Sequence, residues 1–401
     1  MDASIGDIHH YDRRLRHALE SFENDKTIPK ANREVIIRYV RYRGAQGLSV
    51  PRQVRYLSTL RKLSRLLSGT FEEATKEDMI GAVDAIEHEK TSYATKETEK
   101  ISIKCFFRWL RFGDEADDYP PEVKWIKSGG KINHRMLPDK LVTEEEVRKM
   151  AENANNPRDR ALILVLYESG CRVGDLLPLT VGSVSFDKYG AILNVHGKTG
   201  GRRVRIIVSA RALTEWLNHH PGVNNPDNPL WTSFDVAGSV RRLEYGAFRK
   251  MLGVVAERSA IKKRVNPHSF RHARASNVAN VLTEAQMKEY FGWTGDSEMA
   301  ATYVHLSGRN IDNALFKLNG IKTQEEVNGE EHPLAMGKCP RCEEMNPSLN
   351  RFCSRCGSPM DMQIAMDVEE KVKVTDDAMN RLFDDPVFRK FAEKRLDQIW
   401  R

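Results

Sequence analysis

Apolar residues recur every three or four positions from about residue 27 to residue 112, which is the spacing of one face of an α-helix. No run in this part of the chain alternates apolar and polar residues, and turn residues are few. In the segment 50–69 the spacing is carried by four leucines, Leu57, Leu60, Leu63 and Leu67. The pattern predicts a compact α-helical domain of about four helices, which we bound at residues 1–112.

The leucine-bearing helix also carries basic residues beside its apolar positions, namely Arg52, Arg55, Arg61, Lys62 and Arg65. A basic helix face of this kind is suited to contact with a polyanion. A solvated surface face is the alternative interpretation, and the pattern alone does not separate the two.

Residues 113–139 interrupt the helical periodicity. They contain an acidic cluster, two adjacent prolines and two adjacent glycines, which are typical of a connection between domains. The next helix is expected to begin at Thr143, because its hydroxyl can cap the helix and three glutamates follow it in the first turn. A second domain is therefore predicted from residue 140.

The second domain begins with helical patterns and then changes period. Residues 183–209 alternate apolar and polar, with breaks at Tyr189-Gly190 and at Thr199-Gly200-Gly201, so three short antiparallel strands are predicted. Helical patterns resume at Ala210 and continue to about residue 320. The predicted fold is mainly α with a small antiparallel sheet, in which a helical N-terminal domain precedes a mixed α/β domain at residues 140–322.

Composition limits the class of protein. Of the 401 residues 40% are hydrophobic and 30% charged, as in a globular protein, and no apolar run is long enough to cross a bilayer. The first residues lack the apolar core of a secretion signal, so a cytoplasmic location is expected. The formal net charge of +7 favours a polyanionic partner.

Four of the six cysteines form two C-x2-C pairs separated by ten residues, at Cys339, Cys342, Cys353 and Cys356. Two such pairs can surround one metal ion with four thiolates, the arrangement of structural zinc. We therefore predict a linker at 323–337, a zinc ribbon at 338–360 and a helical tail at 361–401. The ribbon has either a partner-binding or a purely structural role, and the amphipathic tail packs on a neighbouring protomer or on its own core.

Four stretches of the second domain carry candidate chemistry: ESGCRVGDLLPLT with Arg172, NVHGKTGGRRVRI with Lys198, NPHSFRHARASNV with His268 and Arg271, and FGWTGDSEMAATYVHLSG with Trp293 and Tyr303. His268 and Arg271 are three residues apart, so they share one side of a helix. In this order the stretches resemble the tyrosine recombinase (phage-type integrase) family, and the last stretch resembles its archaeal members most. The resemblance covers residues 141–318 well, and the N-terminal domain only by position and helical character.

Cutting a DNA phosphodiester without a metal requires a nucleophile, a proton donor and positive charge around the phosphate. Arg172 and Arg271 suit a phosphate clamp, because a guanidinium binds two phosphate oxygens at once and keeps its proton. Tyr303 is the candidate nucleophile. His268 is the candidate base or proton shuttle, and Lys198 the candidate proton donor to the leaving oxygen.

Further residues of these stretches have supporting roles. Trp293 occupies a position where many family members have histidine, and its indole N–H can donate to a phosphate. Asp175 can orient His268 or an arginine. Val173 departs from the Ser or Thr that is common after the first arginine, which places a weak phosphate contact in doubt. Spacing alone does not separate Tyr303 from Tyr290 as the nucleophile.

The hairpin beside Lys198 adds Arg202 and Arg203 as candidate contacts to the DNA backbone, although a solvated strand face explains them almost as well. The basic residues of the N-terminal helix are candidate DNA contacts as well.

The resemblance implies more than the motifs do. It implies a 3′-phosphotyrosine intermediate and no nucleotide cofactor. It also implies two domains that hold double-stranded DNA, four protomers on paired sites, and strand exchange through a Holliday junction. Two alternatives remain: a monomeric enzyme of the type IB topoisomerase kind that relaxes supercoils, and a non-catalytic DNA-binding regulator.

Overall fold

A computed structural model describes residues 8, 10–113, 117–129, 141–197, 200–234, 240–306, 336–347 and 350–399. The chain divides into two compact units, residues 1–136 and 137–401. Both are mainly helical, and the second contains a three-stranded antiparallel sheet, which confirms the predicted fold class. Within the described ranges, no helix combines the length and the apolarity that a bilayer crossing requires.

Five long helices build the first unit: α1 (Tyr11–Glu23), α2 (Lys30–Ala45), α3 (Val50–Leu66), α4 (Lys76–Glu87) and α5 (Tyr93–Phe112). The four leucines of the α3 region are buried, as their spacing predicts. Helix α1 lies before residue 27, where the predicted helical pattern begins. Its apolar positions are too sparse to show that pattern in the sequence. Its Phe22 is nevertheless fully buried in the core of this unit.

A short helix, α6 (Pro121–Lys124), lies inside the segment predicted as a linker. Val123 and Ile126 are buried in the core of the first unit. The Lys104 ammonium donates to the carbonyl of Ile126 at 3.0 Å. The predicted linker is therefore too long, because its prolines begin a packed helical turn instead of an extended connection.

Eight helices are described in the part of the second unit that precedes the cysteines: α7 (Glu144–Glu152), α8 (Pro157–Ser169), α9 (Val173–Leu176), α10 (Ala210–Asn218), α11 (Tyr245–Arg258), α12 (Pro267–Val278), α13 (Glu284–Phe291) and α14 (Met299–Leu306). Thr143 caps α7 as predicted: its hydroxyl accepts from the Glu146 N–H, and the Glu146 carboxylate accepts from the Thr143 N–H. The described residues between α10 and α11 form isolated bridges, where the sequence pattern predicts continuous helices.

The sheet contains β1 (Val184–Asp187), β2 (Gly190–Gly197) and β3 (Gly200–Ile206), in that order and antiparallel, as predicted. A buried carboxylate ties it to α8. Glu168 accepts from three consecutive backbone N–H groups after β3, those of Ile207, Val208 and Ser209, at 2.7–3.0 Å. These contacts fix the end of β3 against the helix that leads to Arg172.

The cysteine region contains a two-stranded sheet of β4 (Gly337–Lys338) and β5 (Met345–Asn346). Two helices follow, α15 (Met362–Asp384) and α16 (Pro386–Ile399). The first helix of the tail therefore begins at residue 362.

Candidate active site and metal site

Arg271 is held by the C-terminal ends of two helices. Its Nη1 donates to the carbonyl of Gly170, which ends α8, and its Nη2 donates to the carbonyl of Phe291 at the end of α13, both at 2.8 Å. Helix ends present unpaired carbonyls and a partial negative charge, so they suit a guanidinium. Gly170 has a φ of 56°, and a Cβ there would lie 2.4 Å from the Phe291 ring. Only glycine fits this turn.

Arg172 lies beside the C-terminal end of α13. Its Nη1 reaches the carbonyl of Gly292 at 3.5 Å and the carboxylate of Asp175 at 4.0 Å. Asp175 bonds the Nη2 of Arg202 more closely, at 3.1 Å. Asp175 therefore lies against two arginines, and its orienting role stays a prediction.

Arg202 differs from its expected position. The sequence suggests an outward contact to the DNA backbone, but the side chain turns inward and is 8% exposed. Among the described residues, its Nε and Nη1 have no hydrogen-bond partner. Arg203 is exposed on the same strand. The neighbouring Arg205 pairs with Asp187 at 2.6 Å. Alternation along β3 explains the difference, since successive side chains point to opposite faces.

An electropositive site is formed by Arg172, Arg202 and Arg271. Burial, followed by the positive charge of Arg172, lowers the pKa of Arg271 to about 10, so the group still carries its charge at neutral pH. Burial also lowers the pKa of His268, and the charges of Arg271 and Arg172 lower it further. Asp175 balances only part of this charge. A site with an excess of buried positive charge is suited to bind an anion.

Tyr303 lies in α14 and is 6% exposed. Its ring stacks parallel to the Trp293 indole at 5.8 Å between centroids, and the Arg271 guanidinium lies 5.5 Å from the same indole. Trp293 therefore contacts both Tyr303, the candidate nucleophile, and Arg271. Burial raises the pKa of Tyr303 to about 12, against a smaller lowering by Arg271.

The hydroxyl of Tyr303 forms a hydrogen bond with Nδ1 of His272. The base predicted near this tyrosine is His268, and His272 is not among the predicted site residues. Both histidines lie on one face of α12, with ring centroids 6.1 Å apart. The four-residue spacing places His272 one helical turn beyond His268, which is the signal that points to it.

Tyr290 is distinguished from Tyr303 by its contacts. Its hydroxyl donates to the backbone carbonyl of Glu168. Burial raises its pKa as well, while the nearby Arg274 opposes this. The Tyr290 hydroxyl is therefore engaged by the backbone, and Tyr303 stays the candidate for the reacting group.

Lys198 lies outside the described residues. The strands on either side of it are described, and Gly197 pairs with Gly200.

The basic residues of α3 do not form one unneutralised face. Arg61 and Arg65 bind Asp25 at 3.2 and 2.7 Å, and the Lys62 ammonium lies 2.6 and 2.7 Å from the carboxylates of Glu89 and Glu99. The sequence pattern could not reveal these partners, which come from other elements. Arg52 and Arg55 are exposed, and their contact with DNA stays a prediction.

The four predicted cysteine ligands converge. Their sulfur atoms all lie within 4.8 Å of one another, with Cys339–Cys356 at 3.6 Å and Cys342–Cys353 at 3.5 Å. A tetrahedral zinc with Zn–S bonds of about 2.3 Å requires sulfur separations of about 3.8 Å. Backbone N–H groups of Arg341 and Arg355 donate to sulfur at 3.4 Å, as suits thiolates. These residues fit a metal ion.

The candidate site of the second unit therefore combines a buried tyrosine with neighbouring arginines. The comparisons with known proteins concern the same part of the chain. Residues 140–309 match the phage integrase family. Tyrosine recombinase XerD of Chlamydia trachomatis is 25% identical over 287 residues, 67% of this chain and 89% of that protein. Tyrosine recombinase XerA of Pyrococcus horikoshii is 22% identical over 274 residues, 66% and 89% respectively.

A solved structure of a lambda integrase tetramer bound to a Holliday junction has the same fold, with a TM-score of 0.52 and 16% identity over 70% of this chain and 78% of that one. Residues 140–309, within the second unit, therefore match the phage integrase family, and the chain is similar to tyrosine recombinases. This confirms the resemblance for that part of the chain. The cysteine cluster lies outside the matched residues.

Proposed function

We propose that this protein is a site-specific DNA recombinase that cuts and rejoins double-stranded DNA through a covalent 3′-phosphate bond to Tyr303. The observation that carries the proposal is the partly buried cluster of Arg172, Arg202 and Arg271, with Tyr303 anchored beside it through Trp293. An anionic phosphate supplies the negative charge that this cluster lacks.

Arg172 and Arg271 bind the two non-bridging oxygens of the phosphate to be cut. Their carbonyl partners orient both guanidinium groups without neutralising them, so the positive charge is available as negative charge develops on phosphorus. Arg202 contributes its two unpartnered N–H groups to the same anion or to the adjacent phosphate. The indole N–H of Trp293 serves as a further donor.

The Tyr303 oxygen attacks phosphorus, and the bond from phosphorus to the 5′ oxygen breaks. The tyrosine proton passes to His272, which already holds the hydroxyl. Lys198 protonates the leaving 5′ oxygen, and His268 contacts the phosphate or shuttles protons. The phosphotyrosine bond preserves the energy of the broken bond, so a 5′ hydroxyl from another duplex can reverse the step without a nucleotide cofactor.

Recombination requires two duplexes and several active sites. We propose that four copies assemble on two DNA sites and exchange strands through a Holliday junction, as the likeness to the lambda integrase tetramer suggests. The exposed Arg52, Arg55 and Arg203 then contact the DNA backbone. The cytoplasmic location expected from the sequence stays a prediction.

We further propose that Cys339, Cys342, Cys353 and Cys356 hold one structural zinc ion. Bound there, zinc supplies cross-linking of the two cysteine pairs and no chemistry of the reaction, since four protein ligands leave no open position. A protein partner for the ribbon remains part of the proposal.

The decisive test is covalent trapping. Mapping protein–DNA adducts over genomic DNA identifies a cut site, and a nicked suicide duplex with that site then traps the intermediate. We expect an SDS-resistant adduct that contains Tyr303 by peptide mapping. Tyr303→Phe should abolish it while duplex binding survives, and Arg172→Ala should slow it on the order of 100-fold or more.

Tyr189→Phe is the matched control, because Tyr189 is 62% exposed and lies in the turn between β1 and β2. An adduct that persists in Tyr303→Phe would show that another residue is the nucleophile. Adduct formation with relaxation of supercoils by a monomer, and without strand exchange, would instead support a topoisomerase.

A further inference from the structure

The long tail helix α15 exposes apolar side chains over most of its length. Its N-terminal part contacts the cysteine region, since Arg351 binds Asp367 at 3.2 Å. Every residue from 369 to 387 is exposed. The exposed apolar side chains include Val372 at 53%, Met379 at 44% and Leu382 at 45%. Leaving such surface in water is unfavourable, so a partner is expected.

The apolar positions of α15 identify the kind of partner. One row has spacings of three and four and contains Ala365, Val368, Val372, Thr375, Met379 and Leu382, while other apolar side chains such as Met366 and Val374 lie outside it. The row has the a and d pattern of a coiled-coil seam. The one polar member, Thr375, satisfies its hydroxyl within the helix by donating to the carbonyl of Lys371 at 2.8 Å.

Charge complementarity selects a second copy of the same helix. In this register Lys371 is a g position and Asp376 is the e position of the next heptad. A parallel two-stranded coiled coil places g of one helix beside that e of the other, so the Lys371–Asp376 pair forms twice. An antiparallel pair would bring the acidic e positions Glu369 and Asp376 together. Acidic residues outnumber basic ones over residues 369–385, which disfavours DNA as the partner.

We propose that two copies of this chain pair through α15 as a parallel coiled coil. The pairing needs no DNA and extends the proposed function by joining protomers before they meet their sites. It does not depend on the cutting chemistry, because its residues lie outside the segment that matches the recombinase family.

The test uses the full, zinc-loaded chain without DNA, measured by sedimentation velocity over a range of concentrations. We expect a reversible dimer. Met379→Lys should abolish it by placing a charge in the seam. Asp377→Asn is the matched control, because it changes the net charge equally at an outward f position and should leave the dimer intact.

Charge reversal tests the register. Lys371→Glu and Asp376→Lys should each weaken the dimer on the order of 10-fold, because both inter-helix pairs become repulsive. An equimolar mixture of the two variants, carrying different fluorophores, should form a heterodimer in which both pairs attract again. Self-pairing in trans is the arrangement that predicts this rescue.

Three results would overturn the proposal. One is a chain that stays monomeric at tens of micromolar while amide exchange protects α15, which would place the helix on its own chain. Another is a dimer that is unaffected by Met379→Lys. The third is a dimer that tolerates both charge reversals, which contradicts the parallel register. Adduct formation by Met379→Lys on the suicide duplex checks that the chain is folded, and keeps this result separate from that of the proposed function.

Discussion

At the scale of single residues, the site separates groups that look alike in the sequence. Tyr290 donates its hydroxyl to the backbone, whereas Tyr303 bonds to an imidazole. His268 faces the charges of two arginines, whereas His272 contacts the tyrosine. Each pair shares a residue type and a helical context, so only the partner assigns the role.

The first prediction concerns His272. His272→Phe should slow adduct formation by about 100-fold or more at neutral pH, because the tyrosine loses the group that accepts its proton. Since the pKa of Tyr303 is raised to about 12, the variant's rate should keep rising with pH, about tenfold per unit from pH 7 to pH 9. The wild-type rate should depend less steeply on pH. Single-turnover trapping across this range measures both.

His272→Gln is the conservative comparison, because its side-chain carbonyl can still accept from the hydroxyl and orient it. Partial recovery of the rate with a steep pH profile would assign a positioning role to His272 in addition to proton transfer. An unchanged rate in His272→Phe would remove His272 from the mechanism while leaving Tyr303 as nucleophile.

A second prediction follows from the lowered pKa of His268. The folded protein protonates His268 less readily than the unfolded chain does. His268 should therefore reduce stability as the pH falls below about 6.5, the ordinary pKa of histidine. Urea unfolding at pH 7.5 and 5.5 should show a smaller loss for His268→Asn than for the wild type. An equal loss in both proteins would contradict the burial of His268 beside the arginines.

At the scale of elements, the C-terminal ends of α8 and α13 hold the arginines of the candidate site. Both helices end in a left-handed glycine, and carbonyls at both ends hold the arginines. Glu168, on the last turn of α8, fastens that helix to the segment after β3. The helix ends therefore position Arg271 and Arg172. Glu168 connects α8 to the sheet that contains Arg202.

The third prediction concerns the packing of α8 against α13 at these ends. Gly170→Ala should reduce the free energy of unfolding by about 2–4 kcal/mol, because the new methyl group meets the Phe291 ring in a strained backbone conformation. It should also slow adduct formation through displacement of Arg271. Gly246→Ala in α11 is the control, since nothing lies within 4 Å of its added Cβ and its stability should not fall. A stable, fully active Gly170→Ala would contradict the close packing of α8 against α13.

At the scale of the whole molecule, a cluster of four cysteines and the exposed helix α15 follow the segment that matches the phage integrase family. The four cysteines converge around two short strands, and α15 begins directly after them. The cysteine region therefore holds the start of the helix that we propose to join two copies. Loss of zinc should affect assembly before it affects the chemistry of cutting.

The fourth prediction follows. Purified protein should contain about one zinc per chain, and Cys342→Ser or chelation should remove it, with loss of the DNA-free dimer. Cys105→Ser is the matched control, because Cys105 lies in α5 of the first unit and is not one of the four converging cysteines. Metal analysis with sedimentation measures both effects. Carefully prepared protein without metal, yet dimeric, would contradict the structural role of the cysteine cluster.

Much of this protein follows from local sequence rules. Helix periodicity, the Thr143 cap, the two hairpins and the cysteine spacing depend on residues within a few positions of one another, so the sequence alone predicts them. Only folding determines the contacts of the candidate site. Arg271 binds a carbonyl 101 residues away, Tyr303 meets a histidine 31 residues away, and Arg202 turns inward to Asp175, 27 residues before it. No local pattern encodes such pairs, because packing of distant elements brings them together.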